Sequence, residues 1–386
     1  MSAPRLLHIV EATTAGVRRY VTSLLEGLSA EWDMEVACPA IRETHFGDVA
    51  FVDDVRRLGI PLHALPLRRS IGLADVAAAR SVVALLRRGR YDVVHTHSSK
   101  AGFIGRLAAR LAGVPVAHTP NGLYFLEQTG LKRRFYLTLE QIAGRATTRI
   151  IAVSEGERDI LIRHRLASPE RICLIENGVD VKKVRERASS PTSDDLRRSL
   201  NLSGEGALVG GVGRMAPQKD PLAFVRAARQ VLQTIADARF VWCGDGELRR
   251  GVEDLAHELT VPLHVTGHLE NVWAVMQCFD VFVLPSLYEG LPFTLLEAMA
   301  LGVRVVATDV VGTRDVLHGE GAGWLVAPRD ETALAAAVVD ALTRQAEAQK
   351  RVEAASRLVE TRFSIERMIS AHGELYEAVM RSEGRR

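Results

Sequence analysis

Two glutamates eight residues apart offer the most specific chemistry in this chain. Glu289 follows the apolar run 279–285, which predicts a buried parallel strand, and Glu297 lies in an apolar stretch that predicts a helix. Pro292 suits the start of that helix because its missing N–H is not needed in the first turn. We therefore expect one carboxylate at the strand–helix turn and the other about two turns along, roughly 12 Å away.

The start of this predicted helix lies between the two carboxylates. Its unpaired N–H groups and the positive end of its dipole form a site for an anion. Carboxylates on either side of an anion site suit a polyhydroxyl ligand with a diphosphate in its middle, such as a nucleotide sugar. For an isolated pair at this spacing, the simpler interpretation is a loop carboxylate and a buried capping partner.

A glycine-rich segment upstream favours the ligand interpretation. Residues 210–219 follow the hydrophobic run 207–209, and glycines at a strand end let the backbone approach a ligand closely. Arg214 offers a planar fork of donors to phosphate oxygens, and Lys219 offers a compact second charge. Either base alone would also suit a solvated surface. Bases after one strand and carboxylates after another, at the same end of a parallel sheet, predict a nucleotide-sugar site.

These segments resemble the family-4 retaining glycosyltransferases, which have the GT-B architecture. The resemblance covers nearly the whole chain. It rests on the G-x-G-R-x4-K element at 211–219, Gly-Asp-Gly-Glu at 244–247, the E-x7-E pair, and Gly302 with the Val-Val-Ala that follows at 305–307. Asn-Gly-Val-Asp at 177–180 is similar to the interdomain signature of that family.

The resemblance implies specific roles at the donor. Arg214 and Lys219 would hold the diphosphate, Glu289 the hydroxyls of the transferred sugar, and Glu297 those of the ribose. His268 would lie beside the nucleobase, although a loop or helix-packing role suits it equally. The predicted donor-binding residues are Gly16, Gly213, Arg214, Lys219, His268, Glu289, Gly290, Leu291, Pro292, Phe293, Thr294 and Glu297. The family usually has two or more glycines in the loop where this chain has only Gly16.

The first half of the chain carries the other predicted site residues. His118 ends a predicted strand and matches a family histidine that lines the sugar site, although a lone histidine there also suits a structural role. The predicted catalytic residues are His118, Glu289, Arg214 and Lys219. The predicted acceptor-side residues are His97, Ser98, Lys100 and Asn121. His95 and His97 would share one face of a strand, but the sequence reveals no third ligand, so we predict no metal site.

The resemblance also implies the mechanism. Charge develops on the departing nucleoside diphosphate, and Arg214, Lys219 and the helix start near Pro292 are expected to stabilise it. No Asp-x-Asp element is present, so we expect a transfer that needs no metal. The family's front-face transfer retains the anomeric configuration, and Glu289 would orient the sugar without acting as a nucleophile.

The bulk properties predict an ordinary globular protein of two domains. The 386 residues suffice for two cores, and 47% hydrophobic with 25% charged residues is typical of such proteins. No apolar run reaches the roughly 18 residues of a membrane span, and the start lacks a signal-peptide pattern. The four scattered cysteines favour reduced core residues. We predict a cytoplasmic protein with peripheral contact to the inner face of the membrane.

Short apolar runs alternate with helical patterns, which predicts two Rossmann-like doubly wound α/β domains facing a central cleft. The predicted strands are 6–10, 34–38, 93–97, 116–119, 150–154, 207–212, 238–243, 262–266, 279–284 and 303–307. Helices are predicted at 16–29, 73–89, 100–112, 131–145 and 155–165. The resemblance implies an acceptor domain at 1–180, a nucleotide-sugar domain at 181–363, and a helical segment at 364–386 that crosses back to the first domain.

A basic segment predicts the partner class. Residues 56–134 contain 14 bases, including the pair Arg68 and Arg69, against three acids, a net charge of +11. Such a surface attracts anionic lipid, and a merely solvated basic face is the alternative. Nucleic acid is not expected because no nucleic-acid-binding signature accompanies the charge.

The strings at 95–102, 118–122 and 131–136 are similar to the family branch that builds capsule or exopolysaccharide on polyprenyl-diphosphate carriers. The predicted reaction moves a hexose or N-acetylhexosamine from a nucleotide sugar, UDP-linked by family habit, to a lipid-linked saccharide. The alternatives are a soluble transferase acting on a small metabolite or natural product, a non-catalytic GT-B scaffold subunit, and a sugar-nucleotide epimerase of related architecture.

Overall fold

The computed structural model describes residues 3–39, 46–67, 72–189, 195, 198, 200 and 206–382. Arg68 and Arg69 of the basic segment lie outside these residues, as do residues 383–386 of the predicted C-terminal segment. The chain forms two compact units, the first made of residues 1–176 and 366–386 and the second of residues 177–365. The predicted domain boundaries lay at 180/181 and 363/364.

The first unit alternates strands and helices along the chain. Its strands are β1 Arg5–Ile9, β2 Asp33–Cys38, β3 Leu62–Ala64, β4 Val93–His97, β5 Val116–Thr119, β6 Arg149–Ala152 and β7 Ile172–Leu174. Its helices in the first half of the chain are α1 Ala15–Leu28, α2 Phe46–Arg57, α3 Leu73–Gly89, α4 Ser99–Ala112, α5 Gly130–Arg145 and α6 Glu155–Arg163. Short 3-10 turns lie at Tyr124–Glu127 and Pro169–Arg171.

The seven strands form one parallel sheet in the order β3-β2-β1-β4-β5-β6-β7. The order reverses between β1 and β4, which are neighbours in the sheet although α1–α3 separate them in the chain. In an open α/β sheet, ligands bind beyond the carboxyl ends of the strands at such a switch point. The apolar runs of β1 and β4 are buried on both faces, as the central strands of such a sheet must be.

The second unit repeats this plan. Its strands are β8 Leu208–Val212, β9 Arg239–Cys243, β10 Leu263–Gly267, β11 Val281–Leu284, β12 Arg304–Thr308 and β13 Trp324–Val326. Its helices are α7 Val181–Ala188, α8 Pro221–Val231, α9 Arg249–Glu258, α10 Val272–Met276, α11 Phe293–Ala300, α12 Val311–Leu317, α13 Glu331–Thr343 and α14 Gln345–Thr361, with a 3-10 turn at Pro217–Lys219. The last helix, α15 Ile365–Ser382, belongs to the first unit from Glu366 onward.

The second sheet is also parallel, in the order β10-β9-β8-β11-β12-β13. Its switch point lies between β8 and β11, where Val209 pairs with Val281. The glycine-rich segment follows β8 and the first glutamate follows β11. The sheet therefore brings the two motifs to the same end of two neighbouring strands, although about 70 residues separate them in sequence.

Aromatic packing holds the core of the second unit beneath this switch point. Trp242 of β9 is 1% exposed and meets Phe224 of α8 edge-to-face with the ring centroids 5.3 Å apart. Such pairs contribute roughly 0.5–1.5 kcal/mol beyond the area they bury. The indole N–H of Trp242 donates to the carbonyl of Gly213 at 2.9 Å. The core thereby fixes the first residue of the loop that follows β8.

Asp220 and Pro221 start α8 directly after the glycine-rich loop. Asp220 adopts φ +42°, and its Oδ1 accepts from the amide of Ala223 at 3.2 Å. Pro221 takes the first helical position, where no N–H is needed. Asp220 and Pro221 therefore fix the residue at which α8 begins. Lys219 lies directly before this helix, and the helix start holds it in place.

The predicted α/β alternation is confirmed, and the structure adds three strands that the sequence did not predict. These are β3, β7 and β13, each three residues long and each at the edge of its sheet. A run of three residues contains too little of the two-residue strand period to be recognised. Among the described helices, none is both long and apolar enough to cross a membrane.

Candidate active site

A partly buried ion pair joins the two motifs of the second unit. Lys219 Nζ lies 2.5 Å from Glu289 Oε1, and the two side chains are only 17% and 7% exposed. In this partly desolvated setting each charge fixes the position of the other, since leaving either without a partner would be costly. The pair therefore presents one cationic and one anionic group at the switch point between β8 and β11.

Arg214 supplies a second positive charge in the same loop. Its side chain is exposed, and no ion pair involving it is found among the described residues. Gly213 adopts φ +157°, and an added Cβ there would lie 3.3 Å from the side chain of Lys219. The glycine thus leaves room for the lysine side chain beside the backbone. Because Arg214 is exposed and has no ion pair within the described residues, its guanidinium is available to an anion.

The Gly-Asp-Gly-Glu motif supports this loop from β9. Gly244 and Gly246 adopt φ +141° and +159°, and an added Cβ would overlap the carbonyl of Gly213 or of Met215, respectively. The amide of Met215 donates to the carbonyl of Asp245 at 2.9 Å. Both glycines are therefore needed for close backbone packing. Their structural role is to hold the loop that carries Arg214.

Hydrogen bonds fix the backbone around Glu289. The amide of Leu287 donates to the carbonyl of Gln218 at 2.8 Å, and Gln218 Nε2 donates to the carbonyl of Tyr288 at 3.1 Å. Gly312 of α12 packs so closely beneath this loop that an added Cβ would overlap the carbonyl of Gly290. The segment is therefore held before any ligand arrives, which is what electrostatic stabilisation of a reaction requires.

Asn177 holds the next residue of the same segment. Its Nδ2 donates to the carbonyl of Leu291 at 2.7 Å, and the asparagine is 5% exposed. This contact gives the Asn-Gly-Val-Asp signature a physical role in the second unit, because it orients the backbone that leads into α11. Gly178 follows with its Cα against the backbone of Ser364, where an added Cβ would overlap the Ser364 carbonyl.

The first turn of α11 offers unpaired donors beside this loop. Pro292 is the N-cap residue and its side chain cannot cap the helix, and the first amides of a helix have no intrahelical partner. Thr294 Oγ1 is buried and has no hydrogen-bond partner among the described residues. Phe293, in contrast, turns a buried side chain into the unit. Amides and a hydroxyl at a helix start suit phosphate oxygens.

The other predicted donor residues occupy different places. Glu297 lies in the second turn of α11 and is 1% exposed, while His268 is exposed directly after β10, two strands from β8. Gly16 is exposed at the start of α1 in the first unit. The contacts of these residues with ribose, base and phosphate stay predictions.

His118 is buried in the first unit at 1% exposure. Its Nδ1 lies 2.9 Å from Thr96 Oγ1, and its ring packs on Gly102 of α4 so closely that an added Cβ there would overlap it. Burial and the nearby guanidinium of Arg106 keep its pKa well below the usual value, so the ring is neutral. The catalytic role of His118 stays a prediction, and these contacts give it a packing role as well.

The predicted acceptor-side residues gather at the carboxyl ends of β4 and β5. Ser98 and Asn121 follow these strands with φ +60° and +52°, a strained conformation for residues other than glycine. Lys100 is held by Asp75, with Nζ 2.6 Å from Oδ1. His97 is fully buried within β4 itself.

One residue that the sequence did not single out joins this region. His8 of β1 pairs directly with His95 of β4 in the sheet, and its Nδ1 lies 3.1 Å from Nε2 of His97. The adjacency of β1 and β4, which is general for doubly wound sheets, is the signal that would have identified it.

Comparisons with known proteins cover both units of the chain. A family model described as "Glycosyl transferase 4-like domain" matches residues 15–178, and one described as "Glycosyl transferases group 1" matches residues 206–344. The UDP-Gal:alpha-D-GlcNAc-diphosphoundecaprenol alpha-1,3-galactosyltransferase of Escherichia coli is 36% identical over 291 residues, which are 72% of each chain. The putative glycosyltransferase EpsD of Bacillus subtilis is 26% identical over 325 residues, 82% of this chain and 84% of the relative.

A solved structure has the same fold along nearly the whole chain. Anabaena Alr3699/HepE, crystallised with UDP and glucose, superposes with a TM-score of 0.82 at 18% identity and covers 97% of this chain and 100% of its own. At that identity the likeness concerns the architecture alone.

Proposed function

Because this chain belongs to the GT-B glycosyltransferases, with a 4-like and a group 1 domain, we propose that it is a retaining hexosyltransferase of family 4. Its donor would be a nucleotide sugar carrying a hexose or N-acetylhexosamine, with UDP as the nucleotide. Its acceptor would be a lipid-linked saccharide in bacterial glycan assembly. The observation that carries the donor site is the partly buried Lys219–Glu289 pair at the switch point between β8 and β11.

The reaction follows from where charge develops. The bond between the sugar C1 and the β-phosphate oxygen breaks, and its electron pair stays on the phosphate. Arg214, Lys219 and the first amides of α11 would stabilise that charge. The acceptor hydroxyl bonds to C1 on the same face and gives its proton to the departing phosphate, so configuration is retained. Glu289 would accept hydrogen bonds from the sugar hydroxyls and orient the ring.

We further propose that the transfer itself needs no metal ion. Two side-chain cations and a helix start supply the positive field that a bound divalent ion supplies in other transferases. Support for UDP comes from the E. coli relative, whose printed name gives UDP-Gal as the donor. Support for a lipid-linked acceptor comes from the printed specificity of the E. coli relative.

The start of α5 supports a peripheral contact with the membrane. Leu131 and Phe135 are 82% and 53% exposed, and the bases Lys132, Arg133 and Arg134 lie between them and are exposed as well. These five residues form what we call the α5 surface. Each base near an anionic bilayer contributes about 1 kcal/mol, and the apolar side chains add burial in the interface.

The experiment that tests the proposal has two stages. Thermal stabilisation of the full chain is measured with UDP-, GDP- and ADP-sugars, in magnesium and in EDTA. Transfer from the stabilising donor is then assayed on a GlcNAc-diphosphopolyprenol and on soluble sugars. We expect a UDP-sugar shift that survives EDTA, followed by product on the lipid-linked acceptor.

Other outcomes separate the alternatives. No shift with any nucleotide sugar in a folded sample would overturn the donor site and favour a scaffold role. Product formed only on small soluble acceptors would refute the proposed lipid-linked acceptor and would not affect the proposed donor site. A changed sugar formed without acceptor would indicate an epimerase.

A further inference from the structure

Three histidines of the first unit converge on one face of its sheet. His8 lies in β1, and His95 and His97 lie two residues apart in β4, so all three side chains leave the sheet on the same side. All three are fully buried. Each contributes a ring nitrogen, and these three atoms lie within 4.8 Å of one another.

Two ring nitrogens of the cluster lie at a spacing that suits two ligands of one metal ion. His8 Nδ1 and His97 Nε2 face each other at 3.1 Å. Two nitrogens bound to one tetrahedral zinc at 2.0–2.1 Å lie about 3.3 Å apart, close to that separation.

From these observations we propose that His8, His95 and His97 form a binding site for one divalent transition-metal ion of the zinc class. Three imidazoles are an established donor set for zinc, whereas calcium and magnesium prefer oxygen ligands. The site is separate from the donor site of the second unit. Whether it binds a metal ion does not depend on the proposed transfer reaction.

Hydroxyl groups around the cluster would serve as outer partners. His95 Nδ1 lies 2.7 Å from the hydroxyl of Tyr376, and Nε2 lies 2.8 Å from Thr119 Oγ1. Binding requires His95 to release one of these contacts. Thr119 can give up its contact because its Oγ1 also lies 3.0 Å from the hydroxyl of Tyr20. The contact that remains would orient the ring, as outer partners of metal ligands do.

Such an ion would cross-link the switch point of the first sheet. It would bind β1 to β4 and, through the hydroxyl of Tyr376, engage α15. With three protein ligands, a water molecule would fill the fourth tetrahedral position, and because all three ligands are fully buried we expect the ion to act on stability and not in the transfer reaction. Removal of the metal is therefore expected to lower the melting temperature of the first unit.

The test uses the untagged full chain, loaded in two ways because the site is buried. Zn²⁺ is supplied during expression and the bound metal is measured by mass spectrometry after desalting. Separately, the chain is refolded with Co²⁺ and the visible absorption of a tetrahedral Co²⁺ centre is recorded. We expect about one ion per chain, a Co²⁺ spectrum that Zn²⁺ abolishes, and a higher melting temperature with metal.

Two variants locate the ion. His8→Gln removes a ligand and is expected to weaken Co²⁺ binding by more than about a hundredfold, beyond the effect of losing an outer partner. His372→Gln is the matched control, because His372 is equally buried and its ring lies 5.9 Å from His95 but it is not among the three ligands. It is expected to keep the metal.

The proposal is overturned by less than about a tenth of an ion per chain in the folded wild type under both loadings. It is equally overturned if folded His8→Gln keeps the wild-type metal content, or if His372→Gln loses the metal while folded. Should His8→Gln fail to fold, the wild-type Co²⁺ spectrum and its displacement by Zn²⁺ decide the question.

Discussion

Replacing Glu289 by glutamine tests the proposed donor site most directly. The change removes the negative charge that lies 2.5 Å from Lys219 Nζ but keeps the size of the side chain. Glutamine would still accept one hydrogen bond, so the sugar would lose a charge-assisted contact and keep a neutral one. That difference is worth roughly 1–1.5 kcal/mol. We therefore expect kcat/KM to fall by about 5- to 13-fold.

The same change has a calculable effect on stability. Removing one partner of a fully buried ion pair costs about 3–5 kcal/mol. Lys219 is 17% exposed and the glutamine oxygen can still accept its hydrogen bond, so we reduce the expected loss to about 1–3 kcal/mol. For a unit of this size, this corresponds to a fall in melting temperature of roughly 2–12 °C.

Binding of the nucleotide should respond differently from turnover. Lys219 loses its carboxylate partner in Glu289→Gln and keeps its charge for the diphosphate, so UDP affinity should stay level or increase. Calorimetric titration with UDP measures this, and initial rates with the donor sugar measure turnover. Glu331→Gln is the matched control because it breaks the Arg226–Glu331 pair of the same unit, outside the donor site. Wild-type turnover in Glu289→Gln, or loss of UDP binding with turnover, would refute the role given to Glu289.

Three further predictions concern other parts of the chain. Gly246→Ala should lower the unfolding free energy by about 2–4 kcal/mol and weaken UDP binding, because the added Cβ would overlap the carbonyl of Met215 and the backbone has φ +159°. Denaturant unfolding measures the first effect and UDP titration the second. Unchanged values would contradict the packing role of this glycine. Leu131→Ser with Phe135→Ser should abolish sedimentation with vesicles of anionic lipid and leave the rate on a soluble acceptor unchanged; retained sedimentation would exclude the α5 surface. Burial raises the pKa of Glu157 from 4.5 to about 7, so the protonated form favours the folded state, and this stabilisation is present below pH 4.5 and lost as pH rises towards 7. Relative to Glu157→Gln, the wild type should therefore lose about 3 kcal/mol of unfolding free energy across that range, measured by urea unfolding at each pH, and parallel profiles would disprove it.

The sequence predicted the central strands because their apolar runs are long and bounded by turn residues. It missed β3, β7 and β13 because edge strands of three residues carry almost no periodic signal. The meeting of Lys219 with Glu289 was foreseeable, since loops after neighbouring parallel strands emerge at one end of a sheet. The contribution of His8 was not seen, because it depends on which strands are neighbours and not on any local pattern.

Alternation along a strand shows which residues share a face but not which face meets a ligand. In β5, Thr119 turns towards His95, so His118 must turn the opposite way, and there it packs on Gly102 of α4. The sequence correctly placed His118 near a strand end, but it could not show which face of the sheet the ring would leave from. That face is set by α4, where Gly102 leaves room for the ring.

Strained backbone at the carboxyl edge of the first sheet points to function there. Ala15, Ser98 and Asn121 follow β1, β4 and β5, and all three have φ between +50° and +60°. For Ala15 and Ser98 this conformation costs roughly 1–3 kcal/mol each and persists only where the surrounding structure enforces it, whereas asparagine adopts it at lower cost. Two strained residues beyond the adjacent strands β1 and β4 are poorly explained by turn geometry alone. The strain therefore favours a binding role for this edge, which is where the predicted acceptor-side residues lie.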